Sequence, residues 1–370
     1  MSRIPLIITL LAALALNAGA QTIRPCIPPA TPLDHGTDTA EVTIIGDVMM
    51  HSRQLEYDHR EFLQGIAPAL RDADLAVANM EFSLGGPPYS GYPAFSAPDA
   101  YAGYVRDSCG VDVFLTANNH ILDRGRSGLT RTLNVYDTMG IRHSGAAADS
   151  LRLVSGYPLM LAVKGVRIAL INFTYGTNVQ PEPSDAWPRV NLMRREDVKA
   201  AIGRAREKRA DFIVALPHWG NEYELSHSPQ QQEWAEWLVD EGVDAIVGAH
   251  PHVVQDTTHI HGVPVIYSVG NAISNMSARN TRLGLAVTLR FTADPATGAR
   301  TMLEPELRFI WCTLPGTLTE GYRTVFTDDY LLRRSEWLDS ADYDNMTSTL
   351  QRVTAATGIE QSPESATQRP

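Results

Sequence analysis

The chain has 370 residues, with 42 acidic against 31 basic side chains and a net charge of −11. It is longer than the usual domain of about 100–200 residues, so one large domain with additions, or two domains, is expected. Hydrophobic residues make up 44% and charged residues 20%, an ordinary globular balance, while the acidic excess argues against an electrostatic grip on nucleic acid.

Arg3 precedes an apolar run from Ile4 to Leu16, and Ala18-Gly19-Ala20 supplies the small residues of a cleavage site. Met1–Ala20 is therefore read as a signal peptide, since the run is shorter than the ~20 residues that span a bilayer. The mature chain is expected to be exported, periplasmic or extracellular after cleavage near Ala20, with no retained transmembrane segment. Residues 21–40 carry Pro25, Pro28, Pro29 and Pro32 and read as a linker. Of the three cysteines, Cys109 is expected in the core, and Cys26 and Cys312 are the pair that an oxidising compartment could join. Cys26 lies too far past the apolar run to suit lipid attachment.

From Glu41 the pattern becomes periodic. Val42–Ile45 is read as a strand ending at Gly46-Asp47, Phe62–Asp72 as a helix, and Asp74–Ala78 as a strand ending at Asn79-Met80-Glu81. Residues 83–98, rich in Gly, Pro and Tyr, read as an irregular loop. A helix at Tyr101–Ser108 and a strand at Asp112–Thr116 lead to Asn118-Asn119-His120, and a helix at Gly128–Met139 is closed by Gly140. Leu159–Val163 and Val166–Phe173 flank Lys164-Gly165 as a hairpin. A helix at Arg194–Lys208 precedes a strand at Phe212–Leu216, which leads into Pro217-His218. A helix at Gln230–Glu241 precedes a strand at Ala245–Val247, which leads into Gly248-Ala249-His250-Pro251-His252. Val263–Tyr267, Gly284–Phe291 and Leu303–Ile310 are three more strands, residues 319–355 are partly helical, and the tail from Gly358 is expected to be disordered.

Strands alternating with helices indicate α/β architecture, and the hairpins indicate a mixed sheet or two packed sheets. Ligands gather outside the carboxyl ends of strands in such folds, and the polar motifs fall there. Asp47, Glu81, Asn119, His218, His250 and His252 are the candidate metal ligands. Oxygen and imidazole donors without thiolate suit Mn, Zn or Fe better than Ca or Mg. Two divalent ions about 3.5–4 Å apart need a bridging carboxylate, and together they polarise a phosphoryl or acyl oxygen and activate water. Glu81 is placed to bridge. Asp47 would serve one ion and Asn119 with His218 the other, with His250 and His252 completing the set. His120 is the candidate proton donor and Asp123, three residues on, its orienting partner.

Among the other histidines, His51, His59, His143, His227, His259 and His261 read as surface or satisfied structural residues. Arg124 and Arg126 read as a solvated face, and Glu222 as close enough to His218 to enter the pocket. No Gly-x-Ser-x-Gly elbow, Walker-type loop or dinucleotide fingerprint is present, which disfavours serine-nucleophile and nucleotide-cofactor chemistry.

Six segments, in order, resemble the CapA (PgsA) family of capsule and poly-γ-glutamate biosynthesis proteins. They are Gly46-Asp47-Val48-Met49, Ala78-Asn79-Met80-Glu81, Ala117-Asn118-Asn119-His120-Ile121-Leu122-Asp123-Arg124-Gly125, His218-Trp219-Gly220-Asn221-Glu222-Tyr223, Gly248-Ala249-His250-Pro251-His252-Val253-Val254-Gln255 and Tyr267-Ser268-Val269-Gly270-Asn271. That family is similar to the calcineurin-like metallophosphoesterases. The resemblance implies a four-layer αββα sandwich with a two-metal site at one edge. It also implies metal-ligand positions at Asp47, Glu81, Asn119, His218, His250 and His252, with His120 as the proton-donating histidine. Two departures stand out. Met49 occupies the place of the histidine in the superfamily's Asp-x-His motif, and Glu81 replaces the bridging aspartate.

The expected organisation is a signal peptide (1–20), a linker (21–40), a metallophosphoesterase-like domain (41–315), a partly helical C-terminal extension (316–357) and a tail (358–370). The expected function is that of an exported metal-dependent hydrolase. Its substrate would be a small phosphoester or the amide bonds of an anionic envelope polymer such as poly-γ-glutamate, and its partners other capsule-biosynthesis proteins. The alternative is a non-catalytic envelope component that assembles, binds or exports such a polymer, a role that Met49 accommodates.

Overall fold

The computed structural model describes residues 39–180, 186–294 and 297–360. The expected signal peptide, nearly all of the linker, Cys26 and most of the tail lie outside the described residues. In chain order the strands are β1 (Ala40–Val48), β2 (Leu75–Met80), β3 (Val113–Leu115), β4 (Arg142–Ser144), β5 (Ala146–Ala147), β6 (Leu159–Val163), β7 (Val166–Thr174), β8 (Arg189–Val190), β9 (Phe212–His218), β10 (Ala245–Val247), β11 (Thr257–Ile260), β12 (Val263–Ile266), β13 (Asn271–Ile273), β14 (Leu283–Ala293), β15 (Arg300–Met302), β16 (Glu306–Thr313) and β17 (Arg323–Phe326). The α-helices are α1 (Ala67–Asp72), α2 (Asp99–Asp107), α3 (Gly125–Met139), α4 (Ser150–Gly156), α5 (Arg195–Glu207), α6 (Pro229–Asp240) and α7 (Ser340–Thr357).

Two large sheets carry the fold. One has the order β17-β16-β14-β1-β2-β3-β4, with β13 beside β1 and β15 beside β14; the other has the order β11-β12-β10-β9-β7-β6. Strands β1 to β4 run parallel, as do β7, β9, β10 and β12. Successive residues of a strand face opposite sides of the sheet, and the buried clusters follow that alternation. Val42 and Ile44 of β1, Val77 of β2, Ile168 and Leu170 of β7, and Val214 and Leu216 of β9 share one cluster. That cluster fills the space between the two sheets.

The opposite faces are covered by helices. Ile45, Ala76 and Ala78 pack with Leu70 of α1 and Tyr101 and Val105 of α2. Ile171, Ile213 and Ile246 pack with Val198 and Ile202 of α5 and Trp234 and Leu238 of α6. The layers are therefore helix, sheet, sheet, helix: a four-layer αββα sandwich. Covering both faces is why the central strands read as nearly continuous apolar runs.

Several elements differ from the sequence expectation. The helix expected from Phe62 starts at Ala67, behind two short 3-10 turns, with Pro68 in its first turn, where a missing N–H costs nothing. Residues 319–355 contain an edge strand, β17, paired with β16, as well as α7, whose Met346 and Val353 enter the inter-sheet cluster. Gly358 adopts φ 70° to close α7, and Ile359 is buried in the same cluster, so the first residues of the expected disordered tail are packed. Cys109 and Cys312 are buried free thiols, and the Cys312 thiol donates to the Ser274 carbonyl at 3.3 Å. Among the described residues no helix is long and apolar enough to cross a membrane.

Candidate metal centre

All six predicted ligands meet at one edge of the sandwich. Asp47 lies near the end of β1, Glu81 directly follows β2, Asn119 lies just beyond β3, His218 ends β9, and His250 and His252 follow β10. Each is buried to within 3% of full enclosure. Two backbone devices set them there. A Cβ on Gly46 would sit 1.8 Å from the Gly270 carbonyl oxygen, so only glycine lets the 268–271 turn approach and accept the Asp47 N–H at 3.1 Å. His250 (φ 102°) and His252 (φ 59°) both occupy the positive-φ region, which non-glycine residues adopt at a cost and usually for function.

The ligand atoms of Asp47, Glu81 and His252 lie within 4.8 Å of one another, and so do those of Glu81, His218 and His250. Glu81 Oε1 is 3.7 Å from His252 Nε2 and 3.8 Å from His218 Nε2. Asn119 Oδ1 sits 2.8 Å from His218 Nε2. Asp47 Oδ2, both Glu81 carboxylate oxygens and His250 Nδ1 are buried without a hydrogen-bond partner. Unpaired lone pairs at that depth are costly, and divalent cations at the two ligand groups would give them partners. The residues present thus fit a divalent metal.

The electrostatics point the same way. Burial, and then the neighbouring Asp47, push the Glu81 carboxyl well above its ordinary range. A bound cation reverses that pressure by favouring the charged form. Burial and then the other imidazoles hold His218 well below the ordinary histidine value, and burial followed by His252 brings His250 down to about 3. Neutral imidazole is the metal-binding form. His252 is the exception: burial opposes its charge, but the adjacent Asp47 raises it overall.

An amide network orients these ligands. Asn79 Nδ2 donates to Asp47 Oδ1 at 2.7 Å, and Asn118 Nδ2 donates to Asn79 Oδ1 at 3.2 Å and to the Met80 carbonyl at 2.9 Å. The His252 Nδ1 lies 2.9 Å from Asn271 Oδ1, which leaves Nε2 toward Glu81. Asn79, Asn118 and Asn271 all sit inside the motif segments, yet sequence reasoning gave them no role. Asn79 and Asn118 did carry a signal, since they stand within two residues of Glu81 and Asn119 at strand ends, whereas Asn271 follows no ligand in the sequence.

The catalytic candidates are also adjacent. His120 Nδ1 is 2.7 Å from Asp123 Oδ2, which also accepts the Phe95 N–H at 2.8 Å, and the Phe95 and His120 rings meet edge-on at 4.7 Å. Asn118 Oδ1 accepts the His120 N–H at 3.1 Å, tying the dyad to the ligand network.

Other residues fall differently from expectation. Glu222 is exposed and groups with His250 and His252 rather than with His218 alone. Tyr175, which carried no sequence signal, lies 4.6 Å from the His250 ring and stacks on His218 at 6.5 Å. His51 is not a satisfied structural histidine. Its Nε2 is buried without a partner, and burial, then His252 and His120, lower it to about 4. His227 is satisfied, 2.8 Å from Asp256. Met49 is buried in the helix-side cluster, and its N–H donates to the Ile273 carbonyl at 3.0 Å.

Comparison with known proteins shows the family. The family model described as "Bacterial capsule synthesis protein PGA_cap" matches residues 41–276. The "Capsule biosynthesis protein CapA" of Bacillus anthracis is 27% identical over 254 residues, 65% of this chain and 61% of that protein. The chain thus spans about three fifths of that relative's length. The "PGA biosynthesis protein CapA" of Bacillus subtilis (strain 168) is 27% identical over 262 residues, 67% of each chain. Similar solved structures include a calcineurin-like phosphoesterase, YfkN, from Bacillus subtilis (13% identity, TM-score 0.44, covering 86% of this chain and 98% of that one). Another is a putative 5'-nucleotidase from Staphylococcus aureus (14% identity, TM-score 0.48, covering 73% and 54%). With 236 of 370 residues inside the family model, the chain belongs to the bacterial capsule synthesis protein family PGA_cap, the CapA proteins.

Proposed function

We propose that this CapA-family chain is an exported metal-dependent hydrolase that acts on an anionic envelope polymer, such as poly-γ-glutamate, or on a small phosphoester. The observation that carries the reading is Glu81. Both of its carboxylate oxygens are buried without a partner, and it belongs to two ligand groups at once. Asp47 and His252 would hold one ion, and His218, His250 and Asn119 a second, with Glu81 shared. Bound divalent ions supply a polarised substrate oxygen and an activated water. His120, its Nδ1 held by Asp123, would give a proton from Nε2 to the leaving group. Asn118 fixes the backbone of that histidine, and Phe95 holds its ring. Elemental analysis of the purified mature protein tests the reading. Wild type is expected to hold two equivalents of Mn, Zn or Fe, and His250→Ala one or none. A wild-type protein without transition metal, inert toward glutamyl oligomers and phosphoesters after Mn or Zn is added, would sink it.

Met49 favours a second reading, in which the chain assembles, binds or exports polymer without cutting it. A buried thioether stands where the wider superfamily places a histidine. This reading expects polymer production to survive His120→Ala, and loss of production by a normally folded variant counts against it.

A further inference from the structure

We infer that Glu222 is a further ligand of the metal centre, completing from the solvent side the position held by Asp47 and His252. This role deepens the two-ion reading of the centre and rests on it, but not on hydrolysis. A carboxylate oxygen of Glu222 and one ring nitrogen each of His250 and His252 lie within 4.8 Å of one another. Donors that share one ion stand roughly 3–4 Å apart, so the three atoms are already near coordinating distance.

The two positions are unequally supplied. Among the described residues, Glu81, His218, His250 and Asn119 offer four donors to one ion, whereas Asp47, Glu81 and His252 offer three to the other. Met49, two residues after Asp47, is buried in the helix-side cluster, and a thioether is a weak donor in any case. Glu222 brings the poorer position level. Asp47 and, more weakly, Glu222 repel the Glu81 carboxylate. Three converging carboxylates are costly without a cation and favourable around one. The completed position has three carboxylates and one imidazole, an oxygen-rich set that suits Mn, whereas the two imidazoles of the other position suit Zn.

The Glu222 side chain is exposed, but the backbone that carries it is fixed. Trp219 N–H donates to the Ala249 carbonyl at 3.0 Å, and Tyr223 N–H donates at 2.9 Å to the carbonyl of Pro251, the residue between the two histidines. The buried Trp219 indole donates to the Tyr267 carbonyl at 2.9 Å. Gly220, at φ 93°, packs so closely on Gln231 that a Cβ would lie 2.6 Å from its side chain. Tyr223 holds φ 69°, a conformation that non-glycine residues adopt at a cost and mostly at functional sites. Its ring lies 6.4 Å from that of His252. The turn is thus tied to the histidine loop on both sides of Glu222.

The test is titration of the metal-free mature protein with Mn, with free Mn read by electron paramagnetic resonance. Wild type is compared with Glu222→Gln and with Glu224→Gln, which removes an exposed charge two residues away on the same segment. Wild type is expected to bind two equivalents. Losing a group that only orients a ligand costs about 10–100-fold in affinity, so Glu222→Gln is expected to weaken one equivalent about 100-fold or more and leave the other unchanged. Glu224→Gln is expected to bind as wild type does, and all three metal-free proteins to melt together. Two tight equivalents in Glu222→Gln overturn Glu222 as a ligand and leave the two-ion reading standing. The same loss in Glu224→Gln, or a lower metal-free melting temperature for Glu222→Gln, also overturns the ligand, since charge or folding then accounts for the effect. Fewer than two equivalents in wild type overturns the two-ion reading and the ligand together. Absence of hydrolysis leaves every one of these outcomes untouched.

Discussion

Glu81 Oε1 and His252 Nε2 stand 3.7 Å apart with no hydrogen bond between them. Two donors that each sit about 2.0–2.2 Å from one ion lie roughly 3–4 Å apart, so this spacing fits a shared cation. The same oxygen has the same relation to His218 at 3.8 Å. Glu81→Gln is therefore expected to empty both positions, whereas Asp47→Ala or His218→Ala is expected to deplete chiefly one. Metal stoichiometry of the three purified variants checks this. A Glu81→Gln protein that keeps two equivalents would remove Glu81 from its bridging role.

His120 and Asp123 should separate from the ligands in their behaviour. His120→Ala is expected to lower kcat by about 10²–10⁴ while leaving metal content unchanged. Asp123→Asn keeps the shape and the Phe95 contact but removes the charge that fixes the imidazole tautomer, so a loss of about 10–100-fold is expected. A leaving group that needs no protonation, such as p-nitrophenolate, should rescue both variants in large part. Equal losses on activated and unactivated substrates would contradict proton donation by His120.

The positive φ of His250 offers a test in the metal-free protein. An alanine at φ 102° keeps the backbone strain, about 1–3 kcal/mol, and a glycine releases it against an entropic cost of about 0.5–1 kcal/mol. His250→Gly is expected to be more stable than His250→Ala by about 1 kcal/mol, the reverse of the usual order for these two residues. Chemical denaturation of both variants in a chelator measures the difference. The opposite order would mean that the loop relaxes without its histidine.

Much of the centre was legible because each ligand lies within a few residues of the end of an apolar run, and such runs are easy to see when both faces of a strand are buried. Asp47 after Val42–Ile45 and His250 after Ala245–Val247 are of this kind. Other parts were not legible. Tyr175 follows β7 but reaches the histidines only because β7 pairs with β9, a long-range register that no local pattern shows. Arg126 looked like part of a solvated face because its contact, the Ala186 carbonyl just ahead of β8, lies 60 residues away in the chain. β17 was hidden because Arg323–Phe326 is a four-residue edge strand whose pairing with β16 supplies its order.

Gly46 tests how the backbone places Asp47. Gly46→Ala puts a methyl group 1.8 Å from the Gly270 oxygen, at a point where both segments are backbone and neither can swing aside. Separating them breaks the Asp47 N–H bond to Gly270 and shifts the parallel β1–β13 register. A destabilisation on the order of 3 kcal/mol or more is expected, with metal binding lost even at temperatures where the variant remains folded. Gly103→Ala is the control: a Cβ there meets nothing within 4 Å, and Gly103 lies within α2. That change should stabilise by about 0.5–1 kcal/mol. Similar melting temperatures for the two variants would refute the close approach at Gly46.

Acid stability should depend on a pair far from the centre. Asp211 accepts the Arg167 N–H at 2.8 Å, Nε at 3.0 Å and Nη2 at 2.8 Å. Burial opposes its charge, but these bonds hold its pKa below the ordinary 3.8. A carboxyl whose folded pKa is depressed adds stability that is fully present above the unfolded value and is lost as pH falls through the folded one. Asp211→Asn keeps the shape and an acceptor oxygen but removes the charge, so its cost belongs to neutral pH and vanishes in acid. Because Arg167 is half exposed, solvent screening limits that cost to about 1 kcal/mol or less. Urea titrations from neutral pH down past 3.8 should show the variant and wild type converging at the acid end, with metal content at neutral pH unchanged. A stability gap that stays constant across that range would mean that Asp211 contributes packing rather than charge.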